Sequence, residues 1–576
     1  MHIDKHVDKL CLAPALPQRG GPRLIPRVLE KHLPDQWMAY ESKATPALLL
    51  QSTTKRGAFQ RLAGRSERAA DFEVQWDGDD DKRNPQNWAA WYKGMTFGTM
   101  SFAMLVVILN STSYPNSLPS IMAEFKGETQ TRANLGVMTY FLGFAVGPLV
   151  LAPLSEIYGR RPIYAIFMLL FAVTVIPSAL AHSLNDIIGV RFLSGLVGSV
   201  MLSCAPGTIV DVASEKYRAL AFSIFCIAPA EAPTIGAVMG GFSSEYLGWR
   251  WTNGIVCMLA GVAWVVMSLI PETYAPVLLR RMAAQKRKET GDDRYWTRFE
   301  HNRTSLPDLL KTNLSRPFVL SVTEPILIFW NLYIGAIYAI FYLVFVAYPI
   351  VFKQIRGWNS GIGSLSFAGI GIGAMCTICS EPLLRKMVEA HKHDPKTGRP
   401  SPEAGISIIC LAACLAPIGQ LWFSWTCEPA SIHWAIPIAA GIPFGCGTTM
   451  VLIYGSSYIS GTYGLFAASA MVGNNLMKNV LGGFLPLAGP AMFGRLGPRW
   501  AGTVLGLLEV VLIPIPFVFY FKGAAIRNRS PVVAKLKELQ LPAKPDVSAE
   551  EPIVSEITKP VPDVDITTAG KEDSEK

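Results

Sequence analysis

Charged residues are scarce in this amino-acid sequence. Only 16% of its 576 residues are Asp, Glu, Lys or Arg, whereas soluble proteins carry about 25%. Half of the residues are hydrophobic, and they gather in blocks of roughly 20, the length at which a helix crosses a ~30 Å hydrocarbon core. Because a helix satisfies its own backbone hydrogen bonds inside lipid, the blocks predict transmembrane helices in a lipid bilayer.

Motifs of enzymes and ATP-driven pumps are missing as well. The sequence has no Walker A loop, no HExxH and no GxSxG. Nor does it show a selectivity filter or a ring of pore charges, which disfavours a channel. The cysteines do not resemble a disulfide framework, and the CxxC of Cys376 and Cys379 has no second pair with which to hold a metal. We therefore expect neither an enzyme nor a bound metal or cofactor.

Two groups of six apolar blocks are separated by a polar interval. The first group lies in residues 91–270, the interval in 271–318 and the second group in 319–522. Residues 1–90 and 523–576 are polar and rich in Pro and charge, and no apolar signal segment opens the chain, so both tails are predicted to be disordered. The predicted spans lie at about 93–114, 134–154, 162–181, 187–208, 219–242, 252–270, 321–346, 361–383, 404–425, 434–454, 463–487 and 500–521.

Lys and Arg gather in the loops on one side of the predicted spans. One basic run extends from Arg280 to Arg316 in the central interval, and another from Arg385 to Arg399 after the eighth span. The positive-inside rule places such loops in the cytoplasm, so the interval and both termini are predicted to be cytoplasmic. This distribution accounts for the net charge of +9 without nucleic acid as a partner.

A short internal repeat relates the two groups of spans. Tyr246 to Trp251 (YLGWRW) precedes the sixth span, and Arg495 to Trp500 (RLGPRW) precedes the twelfth. Each copy places Gly, Arg and Trp at the membrane surface where the last helix of its half begins. Duplicated six-helix halves are typical of secondary transporters.

The segment Ala152 to Pro162 (APLSEIYGRRP), between the second and third spans, combines a turn with charges of both signs. Gly159 permits a tight turn, with Glu156 before it and Arg160 and Arg161 after it. Glu156 can pair with an arginine or face a helix N-terminus, whose partial positive charge favours a carboxylate. Such charge pairs can hold one conformation and release it in another, so the segment is interpreted as a cytoplasmic gate. The plainer alternative is an ordinary positive-inside loop.

This segment resembles the loop signature of the major facilitator superfamily, in the form found in fungal twelve-span drug:proton antiporters. The resemblance covers about residues 84–530. Further motifs that agree with it are Asn84 to Trp88 (NPQNW), Arg191 to Gly195 (RFLSG), Pro271 to Arg281 (PETYAPVLLRR), Arg316 to Phe318 (RPF), Gly369 to Gly373 (GIGIG) and Gly497 to Ala501 (GPRWA).

The resemblance implies an all-α membrane protein in which twelve transmembrane helices form two six-helix bundles, the major facilitator fold. It implies that the bundles rock around a central cavity and move a small molecule by alternating access, driven by protons. We expect the protein to act as a monomer. By the same resemblance, Glu156 and Arg160 belong to the cytoplasmic gate and Arg191 to a proton-linked charge site.

The fifth span resembles the antiporter motif of that family, in which Gly and Pro permit close packing and bending of helices. Ala232 and Ala237 depart from the motif, because they stand where it usually has Gly and Pro. Other residues of the span agree with the motif, because they are either small enough for close packing or able to bend the helix. They are Pro229, Pro233, Gly236, Gly240 and Gly241.

Glu231, Lys478 and Glu509 lie near the centres of predicted spans. A charge at this depth is costly, so each is a candidate functional group. Glu231 is the preferred proton site, since a carboxyl in partly dry surroundings can exchange protons near neutral pH. Lys478, flanked by Asn474 and Asn475, can bind an anionic or carbonyl-bearing substrate or pair with Glu231. Each group also has a structural alternative, a bond to a neighbouring helix, which is favoured for Glu509.

Aromatic residues crowd the seventh span, where most must face lipid or packed helices. Trp330, Tyr333 and Tyr338 are candidate walls of a cavity for flat amphipathic substrates. Aromatic walls with a few polar anchors suit such ligands.

Together these features predict a proton-coupled exporter of small amphipathic molecules, either xenobiotics or a secondary metabolite such as a mycotoxin. A polyamine exporter is the alternative substrate class, disfavoured because polyamines need several carboxylates and only Glu231 is well placed. A non-transporting membrane sensor with a transporter fold is the alternative from a different class. The expected location is the plasma membrane, with the vacuolar membrane as the alternative.

Overall fold

Helices make up the regular structure of the described part of the chain, apart from two isolated β-bridges. Most of the two predicted tails, 1–90 and 523–576, lies outside that part. The computed structural model describes residues 72–78, 80–214, 217–300, 306–391, 393, 400–530 and 532–534.

Eleven helical segments in the described residues are long and apolar enough to cross a membrane. Spans one to six are Ala90–Glu124, Gln130–Tyr158, Arg160–Ala179, Leu184–Val212, Leu220–Tyr246 and Trp249–Ser268. Spans seven to ten are Pro325–Ile355, Ser360–Cys379, Pro402–Thr426 and Ala435–Tyr463.

The eleventh segment, Ala467–Asn528, contains 62 residues, about twice what one crossing needs. Gly497 interrupts it with φ 72° and ψ 160°, a conformation outside the helical region. Span eleven is therefore 467–496 and span twelve 498–528, which restores the predicted count of twelve and confirms the predicted fold. We call the side of the membrane on which span one begins the linker side, because the interval 271–318 lies there. The opposite side is the distal side.

The predicted internal repeat has the same backbone conformation in both copies. Gly248, before span six, has φ 88° and ψ 161°, close to the angles of Gly497 before span twelve. Positive φ is readily adopted by glycine but costly for residues with a Cβ. The next arginine in each copy lies over a tryptophan ring, Arg250 on Trp249 at 4.5 Å and Arg499 on Trp425 at 4.0 Å.

Span one continues beyond the predicted 93–114 and runs over Ala90–Glu124. Its last part contains prolines and a run of polar side chains, yet residues such as Asn110 and Asn116 are buried. Asn116 Nδ2 donates a hydrogen bond to the carbonyl oxygen of Ala237 in span five at 3.2 Å. Because these polar groups face neighbouring helices rather than lipid, they do not end the helix.

The central interval 271–318, predicted as a loop, contains helical structure. The helix Ala275–Thr290 ends at Gly291, whose φ of 67° gives the left-handed cap common at helix C-termini. A second helix, Leu306–Thr323, leads into span seven. The polar composition of the interval therefore reflects helices on the linker side rather than an absence of structure.

The segment before span one docks against this interval. Val74 N donates a hydrogen bond to the Trp296 carbonyl at 2.8 Å, and Trp296 N donates to the Phe72 carbonyl at 3.0 Å. Arg298 also forms an ion pair with Glu73 at 2.9 Å. The described end of the N-terminal tail is thus fastened to the connection between the bundles.

Three apolar clusters form the core of the part of the chain that the structure describes. One lies within the first bundle and includes Met100 and Phe171, and a second lies within the second bundle and includes Trp330 and Ile409. The third combines residues of both bundles, such as Phe141, at their distal ends. The two bundles therefore share an apolar core on the distal side.

Candidate transport pathway

Aromatic contacts close the distal side between spans two, seven and eleven. The ring of Phe141 in span two lies 4.6 Å from that of Tyr342 and 6.2 Å from that of Tyr338, both in span seven. Span eleven approaches at Gly483, where an added Cβ would lie 3.0 Å from Phe141 Cβ. We call Phe141, Tyr338, Tyr342 and Gly483 the aromatic seal.

A second distal contact joins spans five and eight, which belong to different bundles. Ser360 N, at the start of span eight, donates a hydrogen bond to Glu245 Oε2 at the end of span five, at 3.0 Å. Ser364 Oγ donates to the Val238 carbonyl at 3.4 Å. A Cβ at Gly241 would overlap the Ser364 side chain, so span eight can approach this closely because residue 241 is glycine.

The other small residues predicted in span five face span one instead. A Cβ at Gly236 would overlap Thr112 Oγ1, and a Cβ at Gly240 would overlap the backbone of Ser113. Pro229 and Pro233 lie within span five and do not end its helix. Consecutive glycines thus serve different interfaces, Gly240 inside the first bundle and Gly241 between the bundles.

On the linker side, the predicted gate has a different set of partners from the one expected. Arg160 is buried, with its Nε 3.4 Å from Asp211 Oδ2 of span four and its Nη1 donating to Ser155 Oγ at 2.5 Å. Glu156 is exposed and forms no ion pair among the described residues. The carboxylate that forms the ion pair with Arg160 is therefore Asp211, while Glu156 remains close enough to act on the guanidinium through its charge.

The N-terminus of span three is also capped by a carboxylate other than Glu156. Glu272 Oε1 accepts a hydrogen bond from Arg160 N at 2.8 Å, and Glu272 Oε2 accepts one from Arg161 N at 3.3 Å. Gly159 precedes the helix with φ 101°, and a Cβ there would overlap Glu272 Oε2. Glu272 is the second residue of the PETYAPVLLRR motif. That motif is the feature of the sequence from which a role for Glu272 could have been predicted.

Arg191 lies at the centre of the first bundle and is 1% exposed. Its Nε donates to the Gly136 carbonyl at 2.7 Å and its Nη2 to the Asn110 carbonyl at 3.2 Å. The guanidinium also lies over the rings of Tyr114 and Tyr140, at 4.1 and 5.1 Å. Neutral groups thus surround this cation, and within the described residues it has no carboxylate partner.

Glu231 lies where span five meets span eight of the other bundle. Its Oε2 would be 3.1 Å from a Cβ on Gly371, and its Oε1 is buried without a hydrogen-bond partner among the described residues. The carboxyl therefore sits at an interface that must change whenever the bundles move relative to each other.

Lys478 lies on the opposite side of the bundle interface, in span eleven. It is half-buried, and its Nζ lies 5.6 Å from the centre of the Tyr338 ring. The described residues contain no ion pair between Lys478 and Glu231, so the predicted alternative of direct pairing is not found. Both ionisable groups remain available to other partners.

Four residues predicted to line the cavity belong instead to the core of the second bundle. Trp330 is 0% exposed and packs against Tyr458 and Phe519, with ring centres 5.1 and 5.5 Å apart. Tyr333 is likewise buried, beside Trp330 at 5.8 Å. The cavity assignment fails for both because the face of span seven that carries them turns towards spans ten and twelve.

The two asparagines are also buried. Asn474 Nδ2 donates to Asn331 Oδ1 at 2.9 Å, so it joins spans seven and eleven within one bundle. Asn475 is 7% exposed. Glu509 is 2% exposed, and neither of its carboxyl oxygens has a hydrogen-bond partner in the described part of the chain. Among the predicted cavity residues, Lys478 and Tyr338 are the ones at the bundle interface.

In the described residues, twelve membrane-spanning segments form two bundles that are sealed together at one end and carry ionisable groups at their interface, an arrangement suited to a membrane transporter. Residues 100–477 match the family model described as Major Facilitator Superfamily. The chain therefore belongs to the major facilitator superfamily and is a multi-pass membrane transporter of small molecules rather than an enzyme.

Relatives in fungi and a solved structure are consistent with membership of this superfamily. The chain is 36% identical to the ascochitine biosynthesis cluster MFS transporter of Didymella fabae, over 82% of this chain and 92% of that protein. It is 37% identical to the multidrug transporter mdrA of Aspergillus fumigatus, over 86% of this chain and 82% of that protein. Its fold is similar to the partially occluded inward-open xylose transporter XylE from E. coli, with a TM-score of 0.56 at 14% identity, covering 75% and 98% of the two chains.

Proposed function

We propose that this transporter exports small amphipathic molecules, either xenobiotics or a secondary metabolite such as a mycotoxin, in exchange for protons. It works as a monomer without a bound cofactor, in the plasma membrane, with both termini and the linker side in the cytoplasm. The relatives named above support export, since one is named for a biosynthetic gene cluster and the other for multidrug transport. The observation that carries proton coupling is the position of Glu231 between the bundles.

Burial links the charge of Glu231 to the conformation of the protein. An ionised carboxylate without hydrogen-bond partners is far more costly to bury than a protonated carboxyl. In the distal-closed arrangement Oε1 of Glu231 is buried and Oε2 faces Gly371. A proton on Glu231 therefore stabilises the closed distal side, and loss of that proton to the cytoplasm favours separation of spans five and eight.

Export then follows by alternating access. A proton from the distal side neutralises Glu231 and permits the distal contacts to form. Substrate enters from the linker side, the proton leaves, and the aromatic seal and the Glu245–Ser360 contact open. The energy of the proton gradient is in this way coupled to outward movement of the substrate.

Polyamine export remains the alternative substrate class, and a sensor the alternative from another class. Polyamines are polycations, and near the membrane centre the described bundle interface offers them the carboxyl of Glu231 together with the cation Lys478 across from it. That charge balance disfavours polyamines. A sensor would keep the fold and the conformational change but carry no net flux.

Proteoliposomes with an imposed pH gradient test this proposal. We expect wild-type protein to move amphipathic aromatic probes against their gradient, and Glu231→Gln to lose proton-driven transport while remaining folded. Glu509→Gln is the matched control, since it makes the same change at another buried mid-span carboxyl. Unchanged pH-dependent flux in Glu231→Gln would contradict the assignment. Flux of spermidine alone would favour the polyamine exporter, and no flux of any probe would favour the sensor.

A further inference from the structure

The environment of Lys478 bears on the chemical class of the substrate. Its Nζ lies near the face of Tyr338, 5.6 Å from the ring centre. In the part of the chain that the structure describes, no hydrogen bond or ion pair satisfies this ammonium group, and no charged side chain lies close enough to act on it. A half-buried cation with only an aromatic face beside it lacks a counter-charge.

The location of Lys478 places it at the closed end of the pathway. Gly482, one helical turn further along span eleven, contacts the ring of Tyr338, and Gly483 contacts Phe141. Lys478 therefore lies directly on the linker side of the aromatic seal. A molecule that enters from the linker side meets the seal at this lysine.

The other ionisable groups nearby do not neutralise it. Glu231 lies at the contact of spans five and eight, and no ion pair joins it to Lys478 in the described residues. Arg191 is already surrounded by carbonyl oxygens and aromatic rings inside the first bundle. Within the described residues, Lys478 is thus a cation at the interface without a counter-charge, which a ligand can neutralise.

We propose that the substrate carries a carboxylate and that Lys478 binds this anionic group, with an apolar ring of the substrate against Tyr338. Charge-assisted hydrogen bonds from an ammonium to an oxyanion are among the stronger polar contacts. The inference rests on the proposed function and narrows it from amphipathic molecules to amphipathic organic anions. Proton binding at Glu231 and anion binding at Lys478 then occur on opposite sides of the interface.

Matched probes that differ in charge but little in shape test the proposal. The probes are benzoate, 2-naphthoate and 9-anthroate, each compared with its uncharged amide. Binding is measured by thermal stabilisation of the full chain in detergent. We expect wild-type protein to prefer the carboxylates, and Lys478→Met to bind them roughly 10- to 100-fold more weakly. Binding of the amides should not change.

Two further variants distinguish loss of the positive charge at position 478 from a general loss of stability or folding. Lys478→Arg keeps a cation and should retain the carboxylate preference. Lys522→Met removes an exposed lysine of span twelve and should leave affinity unchanged. A carboxylate preference that survives in Lys478→Met overturns the proposal, as does the absence of carboxylate binding across all three ring sizes.

The outcomes distinguish this inference from the proposed function. Carboxylate-selective binding that depends on Lys478, with no proton-driven flux in proteoliposomes, would overturn the proposed function and leave the anion site standing. Proton-driven flux that depends on Glu231 but treats carboxylates and amides alike would overturn the anion site alone.

Discussion

Two glutamates receive backbone N–H groups at the beginning of a helix, one on each side of the membrane. Glu272, at the start of the central interval on the linker side, accepts from Arg160 and Arg161 of the adjoining first bundle. Glu245, on the distal side, accepts from Ser360 of the second bundle. The same kind of hydrogen bond therefore fastens the central interval to the first bundle in one place and joins the two bundles in the other.

The surroundings of the two glutamates fit these roles. Glu272 is 3% exposed and also receives the N–H groups of Thr273 and Tyr274. Glu245 is exposed, so water can replace its partner when the contact breaks. A buried carboxylate with four donors is suited to a permanent contact, whereas an exposed carboxylate at the interface is suited to a reversible one.

The largest expected difference is in stability. Glu272→Ala leaves several buried N–H groups without a hydrogen-bond acceptor and should lower the free energy of unfolding by about 3 kcal/mol. Glu245→Ala should lower it by less than about 1 kcal/mol. Apparent melting temperatures of the two variants in detergent compare them directly. Equal losses would remove the distinction between the permanent and the reversible contact.

Adjacent glycines in span five provide a second comparison. Gly240→Ala pushes a Cβ into Ser113 within the first bundle, and overpacking of this kind typically costs about 1–3 kcal/mol of stability. Gly241→Ala pushes a Cβ into Ser364 of the other bundle, which opposes closure of the distal side but leaves the first bundle intact. We expect a lower melting temperature for Gly240→Ala and greater distal accessibility for Gly241→Ala.

Distal accessibility can be followed through Ser111, which is 3% exposed and lies in span one. A Ser111→Cys reporter is labelled from the distal side with a membrane-impermeant maleimide, and the parent without this cysteine gives the background. If both glycine variants changed the labelling rate and the melting temperature alike, the two glycines would not serve different interfaces.

The smallest expected effect concerns the hydrogen bond of Glu245 itself. Glu245→Gln weakens one exposed contact, worth about 0.5–1 kcal/mol, and should raise the labelling rate of the Ser111→Cys reporter roughly two- to fivefold. Glu289→Gln, an exposed change on the helix Ala275–Thr290, is the control and should leave the rate unchanged. A rate equal to that of the control would show that Glu245 does not hold the distal side closed.

The spans could be predicted from the sequence because lipid imposes one requirement, an apolar run long enough to cross, on every one of them. The exceptions have physical causes. The helix of span one extends beyond its apolar run because Asn110 and Asn116 are buried against neighbouring helices. Gly497 separates the last two spans by its backbone angles, which hydropathy does not measure, although the RLGPRW repeat had indicated a boundary there.

The candidate site could be predicted only in part. Glu231 and Lys478 were identifiable because a charge in the middle of an apolar run is conspicuous. Trp330 and Tyr333 were not distinguishable from Tyr338, since span seven is apolar on all faces and its pattern does not show which face meets the other bundle. Contacts such as Glu272 with Arg160 join positions 112 residues apart, and no local pattern specifies such a distance.

One donor in the contact between Glu245 and span eight is a main-chain amide, that of Ser360. Every residue type except proline supplies that amide at position 360, so mutation of Ser360 can remove its hydroxyl from the contact but leaves the amide in place. The acceptor in this contact is the side chain of residue 245, so substitution at that position changes how readily the contact opens. Turnover can therefore be tuned, by evolution or by engineering, at a site remote from Glu231 and Lys478, which leaves the choice of substrate untouched.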